Sequence, residues 1–187
     1  RNPDQLVHGN AAAAERKIDA RLVPTVELDA AAGCHRDRQD RPAGMFGQLR
    51  ANRAYIRTFI EEGMRLRSPT QGLSTRICAA DEVFQGVAVP AGSMLHLRWA
   101  AANIDADEFE DPLELKLTRK AASRHLAFSQ GPRSCPGSNL SRLEQVIAWD
   151  RLCDAFADLE YSPGNDFRHQ GGIMLGIYRL MLTLTPT

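Results

Sequence analysis

The ten residues Phe128-Ser129-Gln130-Gly131-Pro132-Arg133-Ser134-Cys135-Pro136-Gly137 run directly into a stretch with helical patterning, and how they are read decides the rest. Gly131 and Gly137 permit backbone conformations and close approaches that a side chain would block. Cys135 stands just before the helix start, where free backbone N–H groups and the positive end of the dipole favour a thiolate and lower its pKa from the free value of ~8.5. A thiolate there is a metal ligand or a nucleophile. A nucleophile wants a base beside it, yet the loop holds no histidine, and His125 is ten residues upstream with nothing in the sequence to turn it back. Metal ligation is therefore favoured over the nucleophile, although an isolated cysteine is more often an inert buried thiol.

Working outward, Ser138 to Phe156 has helical spacing, with Leu140, Leu143, Val146, Ile147, Leu152 and Phe156 predicted on its buried side. Upstream, Tyr55, Ile56, Phe59, Ile60, Gly63 and Met64 predict a second helix, with Pro69 shortly after its end. Val83-Phe84, Val87 to Val89 and Met94 to Leu97 are short apolar runs separated by Gln85-Gly86 and Pro90-Ala91-Gly92, the pattern of small antiparallel strands joined by turns. Asp105 to Arg124 contains Pro112 and few periodic apolar residues, so an irregular connection is expected. The alternation of Leu180, Leu182 and Leu184 after a turn at Ser162-Pro163-Gly164-Asn165 predicts a strand near the end. Residues 1–45 fit a compact fold poorly: Ala11 to Leu22 is compatible with a helix, whereas His35 to Pro42 is almost wholly charged, so the segment is read as irregular or inserted.

The 187 residues suit one core, and the 23 basic and 23 acidic side chains leave no net field to draw nucleic acid or an anionic membrane. No apolar run approaches the ~20 residues of a membrane span, and Arg1-Asn2-Pro3-Asp4-Gln5 lacks a signal peptide's apolar stretch, so a cytoplasmic protein is expected. Cys34, Cys78, Cys135 and Cys153 form no Cys-x-x-Cys pair, which argues against a disulfide framework and a zinc knuckle. Residue 1 is not Met, and the chain is expected to begin inside a longer reading frame.

The cysteine loop resembles the haem-binding signature of the cytochrome P450 family, in which Phe, two residues, Gly, one residue, Arg, one residue, Cys, one residue and Gly recur in order. Phe128, Gly131, Arg133, Cys135 and Gly137 occupy all five fixed positions. By that resemblance Cys135 ligates the iron of haem b, Phe128 packs beside the thiolate and Arg133 meets a haem propionate. A thiolate ligand favours O–O cleavage, and arginine offers charge-assisted bonds to a carboxylate, so the chemistry agrees. Glu62 and Arg65 repeat the family's Glu-x-x-Arg pair, and Arg119, following Phe109 and Pro112, fits the arginine that completes its buried charge network. Arg76 and His125 are implied as further propionate contacts. Gly72 and Leu73, with Ile173, Met174 and Leu175, are implied as lining of the substrate pocket.

The resemblance implies a mainly α fold with small antiparallel β-sheets, here incomplete, over residues 46–187, in the pattern of bacterial members. Arg1 to Gln5 resembles the end of a helix that in the family leads almost directly into a segment like Phe46 to Arg50, so residues 6–45 read as an insertion, a fused segment or a frame-shifted translation. No Ala-Gly-x-x-Thr helix, which in the family crosses the distal haem face, is present in the sequence. The implied activity is insertion of one oxygen atom from O2 into a small apolar substrate, with a ferredoxin or reductase as electron donor. Two rivals stand beside it: a fragment without catalytic activity, and a haem-thiolate peroxygenase driven by peroxide.

Overall fold

The computed structural model describes residues 16–19, 44–72, 74–169 and 176–187. Helix α1 (Met45–Ala51) leads through a short turn into α2 (Tyr55–Leu66), whose Ile56, Phe59, Ile60 and Met64 fall on one side and are buried. Helix α4 (Ser138–Ala155) packs against both, and in the sequence between α2 and α4 lie some of the short strands and a single-turn α3 (Trp99–Ala102). Trp149 of α4 meets Phe59 edge-on at 4.8 Å between ring centroids and Phe46 at 6.4 Å, an aromatic centre for the three helices. Arg50 ties α1 to the end of α4 by donating from Nε to the Cys153 carbonyl at 3.2 Å.

The core continues into a three-stranded antiparallel sheet in which β9 (Met181–Pro186) lies between β1 (Arg16–Asp19) and β6 (Phe156–Tyr161). Leu182 and Leu184 are buried, and Leu180 just before the strand joins them, as period-two alternation requires of a sheet with one face on a core. Strands β2 (Ser74–Ile77) and β5 (Met94–Leu97) pair antiparallel, and the hairpin of β3 (Glu82–Phe84) with β4 (Val87–Val89) projects between them. Gln85 and Gly86 both take positive φ at its tip, the geometry of a two-residue hairpin turn. A last small pair joins β7 (Asp166–His169) to β8 (Ile177–Arg179). Residues 105–121 form turns and no helix or strand.

Three sequence expectations need correction. Residues 16–19, inside the stretch compatible with a helix, form a strand because β9 offers an edge to pair with. Helix α4 ends at Ala155, and Phe156 opens β6 instead. The side of α4 expected in the core is not the one packed on α2: Gln145, Trp149 and Cys153 are buried, whereas Leu140, Leu143 and Ile147 are 60%, 56% and 52% exposed. Val146, Leu152 and Phe156 are partly buried against the core. The helix carries apolar residues around most of its circumference, and the bulky Trp149 takes the place between α1 and α2.

Candidate functional site

Three features shape the cysteine loop. Ser129 and Gly131 adopt left-handed conformations, with φ 60° and 72°, a region in which glycine alone escapes a Cβ penalty. Gly131–Arg133 closes one 3-10 turn, and the Cys135 N–H donates to the Phe128 carbonyl at 2.8 Å, drawing the two ends of the loop together. Gly137 then opens α4. A Cβ at Gly137 would lie 3.8 Å from the Cys135 Sγ, an ordinary contact that glycine leaves open on that side of the sulfur.

Cys135 is exposed, whereas Cys78 and Cys153 are buried, and burial pushes the Cys153 thiol up. Among the described cysteines, Cys135 alone is placed to meet something outside the chain. No group of three or more His, Cys, Asp and Glu side chains able to hold a metal ion occurs among the described residues. A bare divalent ion wants about four donors. One exposed thiol suits instead a metal that brings its other ligands with it, as an iron porphyrin does. Arg133 and Arg76 are both exposed, the latter donating to the Thr75 carbonyl at 3.0 Å, and both are free in charge to meet an anionic group. The described surface thus exposes a sulfur, two cations and the apolar Leu140, Leu143 and Ile147, groups of the kinds that haem, with its flat apolar ring and carboxylate edge, would take.

His125, implied by the sequence as a propionate contact, has both ring nitrogens engaged within the chain. Its side chain is buried, Nε2 lies 2.9 Å from Glu61 Oε2, and Nδ1 accepts the Ala127 N–H at 3.1 Å. An accepting Nδ1 puts the proton on Nε2, which donates to Glu61, so both ring nitrogens are used inside the protein. Arg142 completes this cluster, with Nε donating to Glu61 Oε1 at 2.7 Å and Nη2 to Oε2 at 3.1 Å. Burial raises the Glu61 carboxyl, but the hydrogen bonds from His125 and Arg142 outweigh it and hold the group below its ordinary value. Glu61 and Arg142 were not singled out in the sequence, where they stand 81 residues apart and no local pattern joins them.

The neighbouring Glu62, wholly buried, gathers Arg65 and Arg119. Arg65 grips it through Nε at 2.6 Å and Nη2 at 3.0 Å, and Arg119 Nε lies 2.9 Å from Oε1. The same Arg65 donates to the carbonyls of Asn103, Pro112 and Glu114, and Arg119 to those of Glu110, Asp111 and Glu114. A region without regular structure is thus pinned to α2 by arginines that satisfy its carbonyls. Burial raises the Glu62 carboxyl, and bonds from Arg65 and the Lys116 N–H more than offset this, leaving it lowered. The Glu62, Arg65 and Arg119 side chains are all inside, and the cluster includes none of the residues of the cysteine loop.

Gly72 answers to packing, because a Cβ there would come within 3.0 Å of the Leu97 carbonyl and the Arg98 side chain. Leu73, Ile173, Met174 and Leu175, the other pocket residues implied by the sequence, lie outside the described residues.

Comparison with known proteins agrees with this geometry. The family model for cytochrome P450 matches residues 36–182, starting inside the segment read as atypical. Vitamin D(3) 25-hydroxylase of Pseudonocardia autotrophica is 35% identical over 133 residues, which are 70% of this chain and 33% of that protein. Cytochrome P450 144 of Mycobacterium tuberculosis is 37% identical over 113 residues, 60% of this chain and 26% of the relative. Among solved structures, substrate-free CYP150A6 of Mycobacterium marinum superposes with a TM-score of 0.74 and 30% identity, over 86% of this chain and 40% of that one. CYP109E1 of Bacillus megaterium in complex with corticosterone gives 0.74 and 27%, over 85% and 40%. The chain belongs to the cytochrome P450 family, and its helices and small antiparallel sheets are part of that fold. It spans about a quarter to a third of the length of these curated relatives. Among the described residues no helix is long and apolar enough to cross a membrane.

Proposed function

We propose that this chain is the thiolate-bearing part of a haem monooxygenase that places one atom of O2 in a small apolar organic substrate and releases the other as water. The reaction takes two electrons, supplied by a ferredoxin or reductase, and two protons. The observation that carries this reading is Cys135, an exposed thiol in a hydrogen-bonded loop at the head of an 18-residue helix. Haem b, when bound, supplies the iron that takes up electrons and oxygen, and a thiolate ligand favours O–O cleavage.

The chain's own residues hold and orient. Cys135, as thiolate, would be the iron ligand. Arg133 and Arg76 pair with the carboxylate edge, a charge-assisted contact that fixes which way round the group sits. Leu140, Leu143 and Ile147 would offer exposed apolar surface to the ring. His125 is left out of this set because its two nitrogens are engaged with Glu61 and Ala127. Glu62, Arg65 and Arg119 move no proton; they hold residues 103–119 against α2. Support for an apolar substrate comes from the relatives, one a vitamin D(3) hydroxylase by name and one solved with corticosterone.

The test is spectroscopic. Reduction of the haem-loaded chain under carbon monoxide is expected to give the red-shifted Soret band of a thiolate complex, and Cys135→Ser to abolish it. Persistence of that band in Cys135→Ser, or its loss on changing Cys78 or Cys153 instead, would overturn the assignment.

A further inference from the structure

The Glu61 cluster does more than join two helices. Arg142, held by both Glu61 oxygens, sets its guanidinium carbon 4.7 Å from the centroid of the Phe128 ring. The His125 ring lies near the same phenyl group, at 6.1 Å and 41°, and is held by the same carboxylate. Leu126, between them, donates its N–H to the buried Asn103 Oδ1 at 2.6 Å. Phe128 in turn accepts the Cys135 N–H at its carbonyl. A continuous set of contacts therefore runs from α2, through Glu61, Arg142 and Phe128, to the backbone of Cys135.

We propose that Arg142 is a positioning residue for the Cys135 sulfur: anchored by Glu61, it fixes Phe128, and Phe128 fixes the amide and hence the direction of the thiol. Arg142 and Phe128 both line an open hollow of about 510 Å3, so burial does not keep the guanidinium on the ring. The two-point bond to Glu61 does. Arginine suits this place because its planar group bonds a carboxylate with two N–H groups while its face lies on an aromatic ring, which an ammonium cannot reproduce. The proposal rests on the haem-thiolate reading for its consequence at the metal, but not for its consequence in the loop.

Each consequence has its own measurement. In the full chain without haem, Arg142→Lys is expected to speed amide hydrogen exchange at Cys135 and its loop by about tenfold, while the inner turns of α2 and α4 keep the parent rate. Glu61→Gln, which keeps the shape of the side chain, should act in the same direction should Arg142→Lys fail to fold. In the haem-loaded chain, the same variants should lower the fraction of the reduced carbon monoxide complex that shows the thiolate band. Loop exchange equal to the parent, or exchange raised equally across α2 and α4, would make the Glu61–Arg142 pair a plain helix clamp and overturn the proposal. So would a full thiolate band in Arg142→Lys where Cys135→Ser abolishes it. If Cys135→Ser keeps the band, the haem-thiolate reading falls, and the exchange rates still decide the role of Arg142.

Discussion

Two adjacent carboxylates on α2 serve different partners because helical geometry turns successive side chains by about 100°. Glu62 faces inward to Arg65 and Arg119, whereas Glu61 faces α4 and the approach to Cys135. Arg65→Ala removes the bidentate partner of a wholly buried carboxylate and the donor to the Asn103 and Pro112 carbonyls, so a loss of ~3 to 5 kcal/mol is expected in denaturant unfolding. A variant that unfolds with the parent would show the cluster to be dispensable. Both glutamates are held below their ordinary pKa, so each contributes stability that is present above the unfolded value of ~4.3 and is lost as pH falls through the folded value. The melting temperature should therefore drop as the solution is acidified below that point, and Glu61→Gln should flatten the drop. An equally steep acid limb in Glu61→Gln would place the titrating group elsewhere. Sequence spacing shows Glu62 and Arg65 because a pair three apart shares a helix face. His125 and Arg142 meet Glu61 across 64 and 81 residues, and such pairings exist only once the helices have packed.

Helix α4 shows the same limit for a whole element. Its periodicity predicts a helix from Ser138 to Phe156, one residue beyond the observed end at Ala155, and Cys135 is placed at its head on the same evidence. Which face turns inward depends on the neighbour. Trp149 and Cys153 meet α1 and α2, and Leu140, Leu143 and Ile147 point away from them. The consequence is an asymmetry between residues of like polarity. Trp149→Ala would empty the centre shared with Phe46 and Phe59 and should cost ~3 to 5 kcal/mol, whereas Ile147→Ala should stay within ~0.5 kcal/mol. Equal costs in urea unfolding would mean that Ile147 is packed in solution. Strand β1 has a related cause: a short segment in Arg16–Asp19 becomes a strand through its partner β9, and β propensity is weaker than that context. Strand β9, by contrast, buries alternate leucines, and period-two spacing makes such a strand visible before any partner is known.

At the scale of the molecule, the described elements expose a cysteine, two arginines and apolar side chains of one helix within the family fold, of which this chain spans about 40% in solved relatives. Monooxygenation needs more than the ligand. Electrons delivered to O2 reach the substrate only where water is excluded and protons arrive by a positioned route, and in open contact with water the same two electrons and two protons yield hydrogen peroxide. The sequence holds no Ala-Gly-x-x-Thr helix of the kind that in the family crosses the distal haem face. The 187 residues taken alone should therefore consume reduced cofactor with little coupled oxidation, whatever the electron donor. The measurement is substrate oxidised per reduced cofactor consumed, with peroxide determined in parallel, for this chain and for a version extended at its N terminus by the remainder of a family fold. Coupling should rise, and peroxide fall, only in the extended version. Tight coupling in the 187-residue chain would mean that residues 1–45 close the open side, and the reading of that segment as inserted would have to be abandoned.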